Sequence, residues 1–410
     1  MQLLYKVLLT ILLLSYCTFS IELSFIASFL ILPFGLKSKV DKKIFYISVF
    51  LSALLVIGVI KSFFNDALPI KFLKDFVYFS RPVLMLLSTY LIVSNIKSSR
   101  FAFDIIVSIS LAMALYHLTQ ILFSAGISSD YSSLRNIAGK QNHVEVVGLI
   151  FLTFTPFYNK RHFKKRYLLY IIYPIILLSV IMYFSRSMYI VFLIFYLSYK
   201  GYLFFGKRLL KGFLIFAVLA LGLFVVFKNI DYSKDATTTN SFSYKIYNSI
   251  NEIFETVNTS RIRDNTEELW QYWRAYESQI AIENVLNSKN NIINFIFGMG
   301  FGSDIDLKTD VKLAGELYDK VPTIHNGYIN IFYKTGLIGI VLYVSIFFIN
   351  YLNISPRKDY NPYMKSLMIG SLFYVFYNSL VITGFLRPGE FSLVIFAIAT
   401  ASNKKVLLNE

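Results

Sequence analysis

Cysteine is all but missing from this chain. Cys17 stands alone among 410 residues, so no disulfide forms within the chain and no thiolate metal cluster can be built. Charge is also scarce, 16% of residues against roughly a quarter in soluble domains, which excludes an ordinary soluble domain of this length. Acidic residues are few, 24 against 40 basic ones. The resulting charge of +16 would suggest nucleic acid if it clustered on a soluble segment; it does not, and nucleic acid is not expected as a partner. The first apolar run, residues 7–19, has no small-residue cleavage site and is followed at once by another apolar segment, which predicts a retained span. No internal repeat is evident.

What the chain has in abundance is apolar length: 56% of it is hydrophobic and 18% aromatic. Runs near the roughly 20 residues needed to cross a bilayer recur along the whole sequence. The candidate spans are Val7–Ser20, Ile21–Leu36, Ile44–Phe64, Phe72–Asn95, Phe101–Ala125, Val144–Tyr158, Tyr167–Phe184, Met188–Phe205, Phe213–Phe227, Gly327–Tyr351, Tyr363–Thr383 and Phe391–Ala401. They predict an all-α, polytopic bundle of about twelve spans.

The connections alternate in charge. Lys37, Lys39, Lys42 and Lys43 follow the second span, and Lys97 and Arg100 the fourth. The run from Lys160 to Arg166 follows the sixth, while Lys200, Lys207, Arg208 and Lys211 follow the eighth. Arg357 and Lys358, then Lys404 and Lys405, complete the series. By the positive-inside rule these exits and both termini are cytoplasmic, and the intervening connections lie outside. One outer connection is unlike the rest: about 95 polar residues separate Lys228 from Ile324, too many for an idle loop. It holds more than half of the acidic residues, and within it Glu267 to Leu286 reads as an amphipathic helix. The chain thus divides into N-terminal spans (1–228), a large, partly helical extracytoplasmic loop (229–324) and C-terminal spans (325–410).

Arginine is not depleted on the outer side, as that rule would require. Arg81 lies within the fourth span, and Arg186 in the very short turn after Phe184. Arg135 precedes the sixth span, Arg261, Arg263 and Arg274 fall in the large loop, and Arg387 in the last outer connection. Together they describe an anion site open to the outside, because the guanidinium fork matches phosphate or diphosphate oxygens.

The loop ends on a distinctive pattern: GMGFG (Gly298 to Gly302), then His325-Asn326-Gly327-Tyr328, then a helix carrying Gly336-Leu337-Ile338-Gly339. His325 sits where a polar loop meets a span, beside an amide, and an imidazole there can accept a proton or orient a hydroxyl nucleophile. Of the other histidines, His162 belongs to a basic run, His117 reads as a core histidine and His143 borders a span. The glycine run superficially matches a dinucleotide fingerprint but lacks the strand–turn–helix context; it is expected to turn tightly or to let backbone approach a substrate. Asp304-Ile305-Asp306 resembles a metal-binding DxD but is read as solvated, so no metal is expected. Gly336 and Gly339 are expected to permit close helix packing.

These motifs resemble the O-antigen polymerase and ligase superfamily of bacterial inner membranes. The resemblance is carried by GMGFG, by His325 to Tyr328 and by Gly336 to Gly339. Ser185-Arg186, Asn142 with Gly148, and the arginines near Trp270 match in kind. Lys334 stands where the family often has an acidic residue. The resemblance implies a C-type glycosyltransferase-like fold and an enzyme that polymerises oligosaccharide repeat units carried on undecaprenyl diphosphate, for lipopolysaccharide or a related surface polysaccharide. His325 and Arg186 would be catalytic. Arg81, Arg135, Asn142, Arg261, Arg263, Arg274, Asn326, Tyr328 and Arg387 would bind the diphosphate or substrate. No cofactor or metal is implied; the partners are the lipid-linked donor and acceptor, the bilayer and a chain-length regulator protein. A ligase acting on a lipid A core or a protein is the alternative. A lipid-linked-oligosaccharide flippase, from a different functional class, is disfavoured by the lack of a repeat and by the single large outer loop.

Overall fold

A computed structural model of the chain describes residues 1–18, 20–36, 38–64, 68–125, 142–158, 166–206, 209–212, 214, 269, 272–313 and 316–407. Among the described residues, eight α-helices lead up to the large loop: α1 (Gln2–Cys17), α2 (Ile21–Gly35), α3 (Lys42–Ser62), α4 (Pro69–Asn95), α5 (Arg100–Gln120), α6 (Asn142–Phe154), α7 (Arg166–Met182) and α8 (Arg186–Tyr199). Within the loop come α9 (Trp273–Leu286), α10 (Asn291–Phe297) and the strands β1 (Ile305–Leu313) and β2 (Glu316–Val321). Then follow α11 (Gly327–Ile354), α12 (Pro362–Val381), a single 3-10 turn (Gly384–Leu386) and α13 (Ser392–Leu407).

Among the described residues, four helices are long and apolar enough to cross a membrane, those containing Lys42–Ser62, Pro69–Asn95, Arg100–Phe123 and Gly327–Ile354. Six shorter apolar helices accompany them. Lipid leaves no water to satisfy backbone groups, so helices that close their own hydrogen bonds are the natural spanning element. The chain is a helical, multi-pass membrane protein. The expected span Phe213–Phe227 and most of the basic run before Arg166 lie outside the described residues.

Two layers of contact organise the bundle. Helices α2, α3, α4, α11 and α13 pack on one side, α5 to α8 on the other, and α12 joins them through α8, α11 and α13. At the end opposite His325, the Lys405 ammonium donates to the carbonyls of Val93 (2.7 Å) and Ile96, neutralising the exposed C-terminus of α4. The Tyr90 hydroxyl donates to the Lys39 carbonyl at 3.2 Å at that same end. The described connections that carry Lys39, Lys97 and Lys405 therefore share one end of the bundle.

The loop is not wholly helical, as an all-α fold would have it. Strands β1 and β2 form an antiparallel hairpin with Ile305 opposite Val321 and a bulge between Asp306 and Val311. The alternation Ile305, Leu307, Val311 against Asp306, Lys308, Asp310 is a period-two pattern with one buried face. That face meets α9 in a small second core of Tyr276, Ile280, Val285, Ile305, Leu307 and Val321, closed by the Tyr276 hydroxyl donating to the Leu307 carbonyl at 2.6 Å.

Helix α11 is broken at Gly336, whose φ of 69° and ψ of −166° no helix tolerates. A Cβ at Gly336 would overlap the Ile296 carbonyl, and one at Gly298 the backbone at Lys334 and Thr335. The two glycines let two backbones touch. The break leaves the carbonyls of Tyr333 and Lys334 without helical donors, and GMGFG supplies them: Met299 N–H donates to Tyr333 (2.7 Å) and Gly300 N–H to Lys334 (3.1 Å). Phe301 N–H then donates to the Gly58 carbonyl on α3 (3.2 Å), and Gly302 N–H to Asp75 Oδ2 on α4 (2.7 Å). The Phe301 ring fills the space that the missing Gly58 side chain leaves and packs on Phe79 at 4.8 Å. Positive φ at Gly298, Gly300 and Gly302 gives the tight turn expected of this run, and the turn closes on protein backbone; Gly336 serves a backbone junction rather than packing between two intact helices.

A buried ion pair secures the junction. Lys334 Nζ donates to Asp75 Oδ2 and to the Ser303 carbonyl, both at 2.6 Å, and the two side chains are 0% and 6% exposed. Asp304, expected to be solvated, instead pairs with Lys71.

Candidate functional site

At the loop end of the bundle the start of α11 meets the end of α12. Asn326 caps α11, its side-chain oxygen accepting from Tyr328 N (3.0 Å) and Ile329 N (3.2 Å). Gly327 N–H donates to the Ile382 carbonyl at 3.2 Å, so the start of α11 abuts the end of α12 with almost no gap. The Tyr328 hydroxyl donates to the Phe376 carbonyl at 3.1 Å. Asn326 and Tyr328, expected to touch substrate, thus spend these groups on holding the helix start against α12.

His325 immediately precedes that cap. Its side chain is 50% exposed and its Nδ1 lies 2.8 Å from Oε2 of Glu277, a carboxylate on α9 that is only 4% exposed. The same oxygen accepts the His325 backbone N–H at 3.3 Å. Glu277 escaped the sequence reading, because one carboxylate on an amphipathic helix is unexceptional. Its signal was position: it falls between Tyr276 and Ile280 on the buried side of α9.

One turn before Glu277, α9 carries Arg274. The guanidinium groups of Arg274 and Arg186 both act electrostatically on Tyr377 of α12, so both lie on its side of the bundle end. Arg186 opens α8, where the exposed N–H groups of the first turn add positive character. The turn before it holds Phe184 at φ 47°, a left-handed conformation that a non-glycine residue keeps only where its surroundings impose it. Those surroundings are visible. Tyr183 donates to Glu145 Oε1 of α6 at 3.1 Å, Ser179 donates to Glu145 Oε2, and Ser179 in turn meets His117 Nδ1 of α5 at 2.7 Å. His117 is thus a satisfied core histidine on that nitrogen, as expected, and the network locks the end of α7 from which the Arg186 turn departs.

Arg387 follows the 3-10 turn after α12. Arg81, expected to bind substrate, is corrected by its burial. At 1% exposure its Nε donates to Ser24 Oγ (2.7 Å) and its Nη1 to the Arg387 carbonyl (3.2 Å), so it braces the connection that carries Arg387. Glu390 lies in that connection and accepts from Ser392 N (2.9 Å) and Ser392 Oγ (2.8 Å), capping α13. Burial pushes its carboxyl up to about 7, against the opposing pull of the Ser392 bonds and of Arg81 and Arg387. His143 of α6 is buried, its Nδ1 2.8 Å from the Tyr374 hydroxyl, and it feels the charge of Arg387. Of the remaining expected residues, Arg135, Arg261 and Arg263 lie outside the described residues, as does the side chain of Asn142.

The arrangement offers a half-exposed imidazole backed by a buried carboxylate, on the same end of the bundle as guanidinium groups from α8, α9 and the α12–α13 connection. No group of three or more histidine, cysteine or acidic residues stands close enough to hold a metal ion among the described residues.

Residues 171–344 match the family model described as O-antigen ligase (Wzy_C). No curated protein and no solved structure matches the chain. The matched stretch contains Arg186, Arg274, Glu277, His325 and both sides of the Gly298–Gly336 contact, and over these residues the chain is similar to the O-antigen polymerase and ligase superfamily, whose general role is in surface polysaccharide.

Proposed function

We propose that the protein is a glycosyltransferase that extends a surface polysaccharide by moving a growing glycan from a polyprenyl diphosphate onto the next lipid-linked repeat unit. The observation that carries this reading is the half-exposed His325 at the same bundle end as Arg186, Arg274 and Arg387. In the reaction the acceptor hydroxyl oxygen forms a bond to the anomeric carbon of the donor glycan. The bond from that carbon to the diphosphate oxygen breaks, its electron pair leaves on the diphosphate, and the hydroxyl proton passes to His325. Guanidinium groups stabilise the charge that develops on the leaving diphosphate, an electrostatic task suited to a site screened from water. Arg186 is the leading candidate, since it sits at a helix N-terminus and on an imposed turn. Arg274 and Arg387 share the load, as would Arg135, Arg261 and Arg263 from the outer segments.

The basic residues at the opposite end support an orientation with that end and both termini cytoplasmic, and with His325 on the outer face of the cytoplasmic membrane. A second reading, ligation of the glycan to a lipid A core, is favoured by the description of the matched family. Purified protein in proteoliposomes, given lipid-linked repeat units alone, is expected to build a ladder of longer glycans that His325→Ala and Arg186→Ala abolish. A product formed only when lipid A core is added would replace the first reading with the second. Movement of the lipid across the vesicle without extension would refute both.

A further inference from the structure

Glu277 decides what His325 can do. The backbone N–H of His325 can only donate, and it donates to Glu277 Oε2 at 3.3 Å. The oxygen that accepts this bond also faces His325 Nδ1 at 2.8 Å. An ionised carboxylate has no proton to offer, so the hydrogen of that second bond belongs to Nδ1. In the neutral ring the lone pair then resides on Nε2, the nitrogen at the far side from the buried carboxylate, on a side chain that is half exposed. The carboxylate itself is anchored on α9, whose buried face is held by the Tyr276 bond to β1 and by packing against the start of α11.

Resting on the function proposed above, we infer that Glu277 is a positioning residue: it fixes His325 as the Nδ1–H tautomer, so that Nε2 is the base that takes the acceptor proton. When Nε2 receives that proton, the acceptor oxygen bonds to the anomeric carbon, the diphosphate departs with the bonding electron pair, and the imidazolium forms next to a carboxylate already in place. His325 therefore moves a proton rather than only orienting the acceptor. Carboxylates behind a histidine act in this way in hydrolytic triads, where the histidine is the proton acceptor and the carboxylate selects its tautomer.

The test joins a spectroscopic readout to a kinetic one. Protein labelled with 15N-histidine in lipid nanodiscs has only four histidines, and His325→Gln identifies the His325 signals by subtraction. In its neutral form, His325 is expected to show a protonated Nδ1 and a bare Nε2. Glu277→Gln is expected to lose that preference and to lower kcat by about 100-fold while changing donor KM little. Glu277→Asp should recover part of the rate. Tyr276→Phe, which removes a buried hydrogen bond from the same helix, controls for damage to α9 and should keep the tautomer. A bare Nδ1 in the wild type, or Glu277→Gln turnover equal to wild type, would overturn the inference. The spectrum needs no glycan. The expected tautomer in a protein that transfers no glycan would leave the tautomer assignment standing while removing the base role along with the proposed function.

Discussion

Replacing Lys334 by Met should be among the most damaging single changes in the bundle, and its size follows from what remains behind. Asp75 stays 6% exposed with one donor, the Gly302 N–H, and no counter-charge. Breaking a buried ion pair from one side costs about 3–5 kcal/mol. Asp75→Leu should cost a similar amount, since the Lys334 ammonium, 0% exposed, then keeps the Ser303 carbonyl and the face of the Tyr333 ring but no counter-charge. The double variant removes both charges but orphans the Gly302 N–H and the Ser303 carbonyl, at about 1–3 kcal/mol each. Its cost, about 2–6 kcal/mol, should fall well short of the sum of the singles, giving a favourable coupling of several kcal/mol. Reversible unfolding in mixed detergent micelles, read by tryptophan fluorescence, measures all three. Trp273 sits in the small core joined to this junction, so the probe reports the right region. Singles costing less than about 1 kcal/mol, or strictly additive costs, would refute the buried-pair reasoning.

Other outcomes follow from the same geometry. Gly336→Ala places a Cβ against the Ile296 carbonyl at φ 69° and should destabilise by about 2–5 kcal/mol in the same unfolding assay, with loss of glycan extension. Tyr183→Phe removes the bond to Glu145 and should cost about 1 kcal/mol, while loosening the turn before Arg186 should reduce transfer by a larger factor than that stability change accounts for. Glu390 is held protonated to about 7 in the fold against an ordinary 4.5, so between those values the folded state keeps a proton that the unfolded chain has released. Stability should therefore fall as pH rises through that window, by on the order of 3 kcal/mol, and level off above it; Glu390→Gln should flatten the slope.

Apolar runs and alternating basic connections made the bundle legible, because each run answers to the bilayer locally. Arg186 and His325 stood out for the converse reason: a charge in a very short turn between two runs, or an imidazole where a polar loop meets one, needs a cause. Glu277 was not, since its meaning depends on a histidine 48 residues away. Gly336 allowed a helix-packing reading, and only the Ile296 carbonyl, brought against it by the tertiary fold, requires its left-handed backbone. Arg81 shows the opposite failure. Its intramembrane charge correctly flagged a special position, but whether it faces ligand or protein is set by Ser24 and the Arg387 carbonyl, which lie on other elements. The hairpin was written in the alternation after Asp304, which a search for acidic metal ligands does not look for.

The pins on either side of the hairpin have a consequence for how such a chain can diversify. Gly302 is tied to Asp75, and Gly327 to the Ile382 carbonyl, each independently of the hairpin between them. Those two bonds predict that the segment between them tolerates a change of length while its ends stay in place. On the function proposed above, residues exchanged or inserted between the two bonds are expected to leave the height of His325 above the bundle unchanged, so that the segment can be fitted to different acceptors while the reacting end stays as it is.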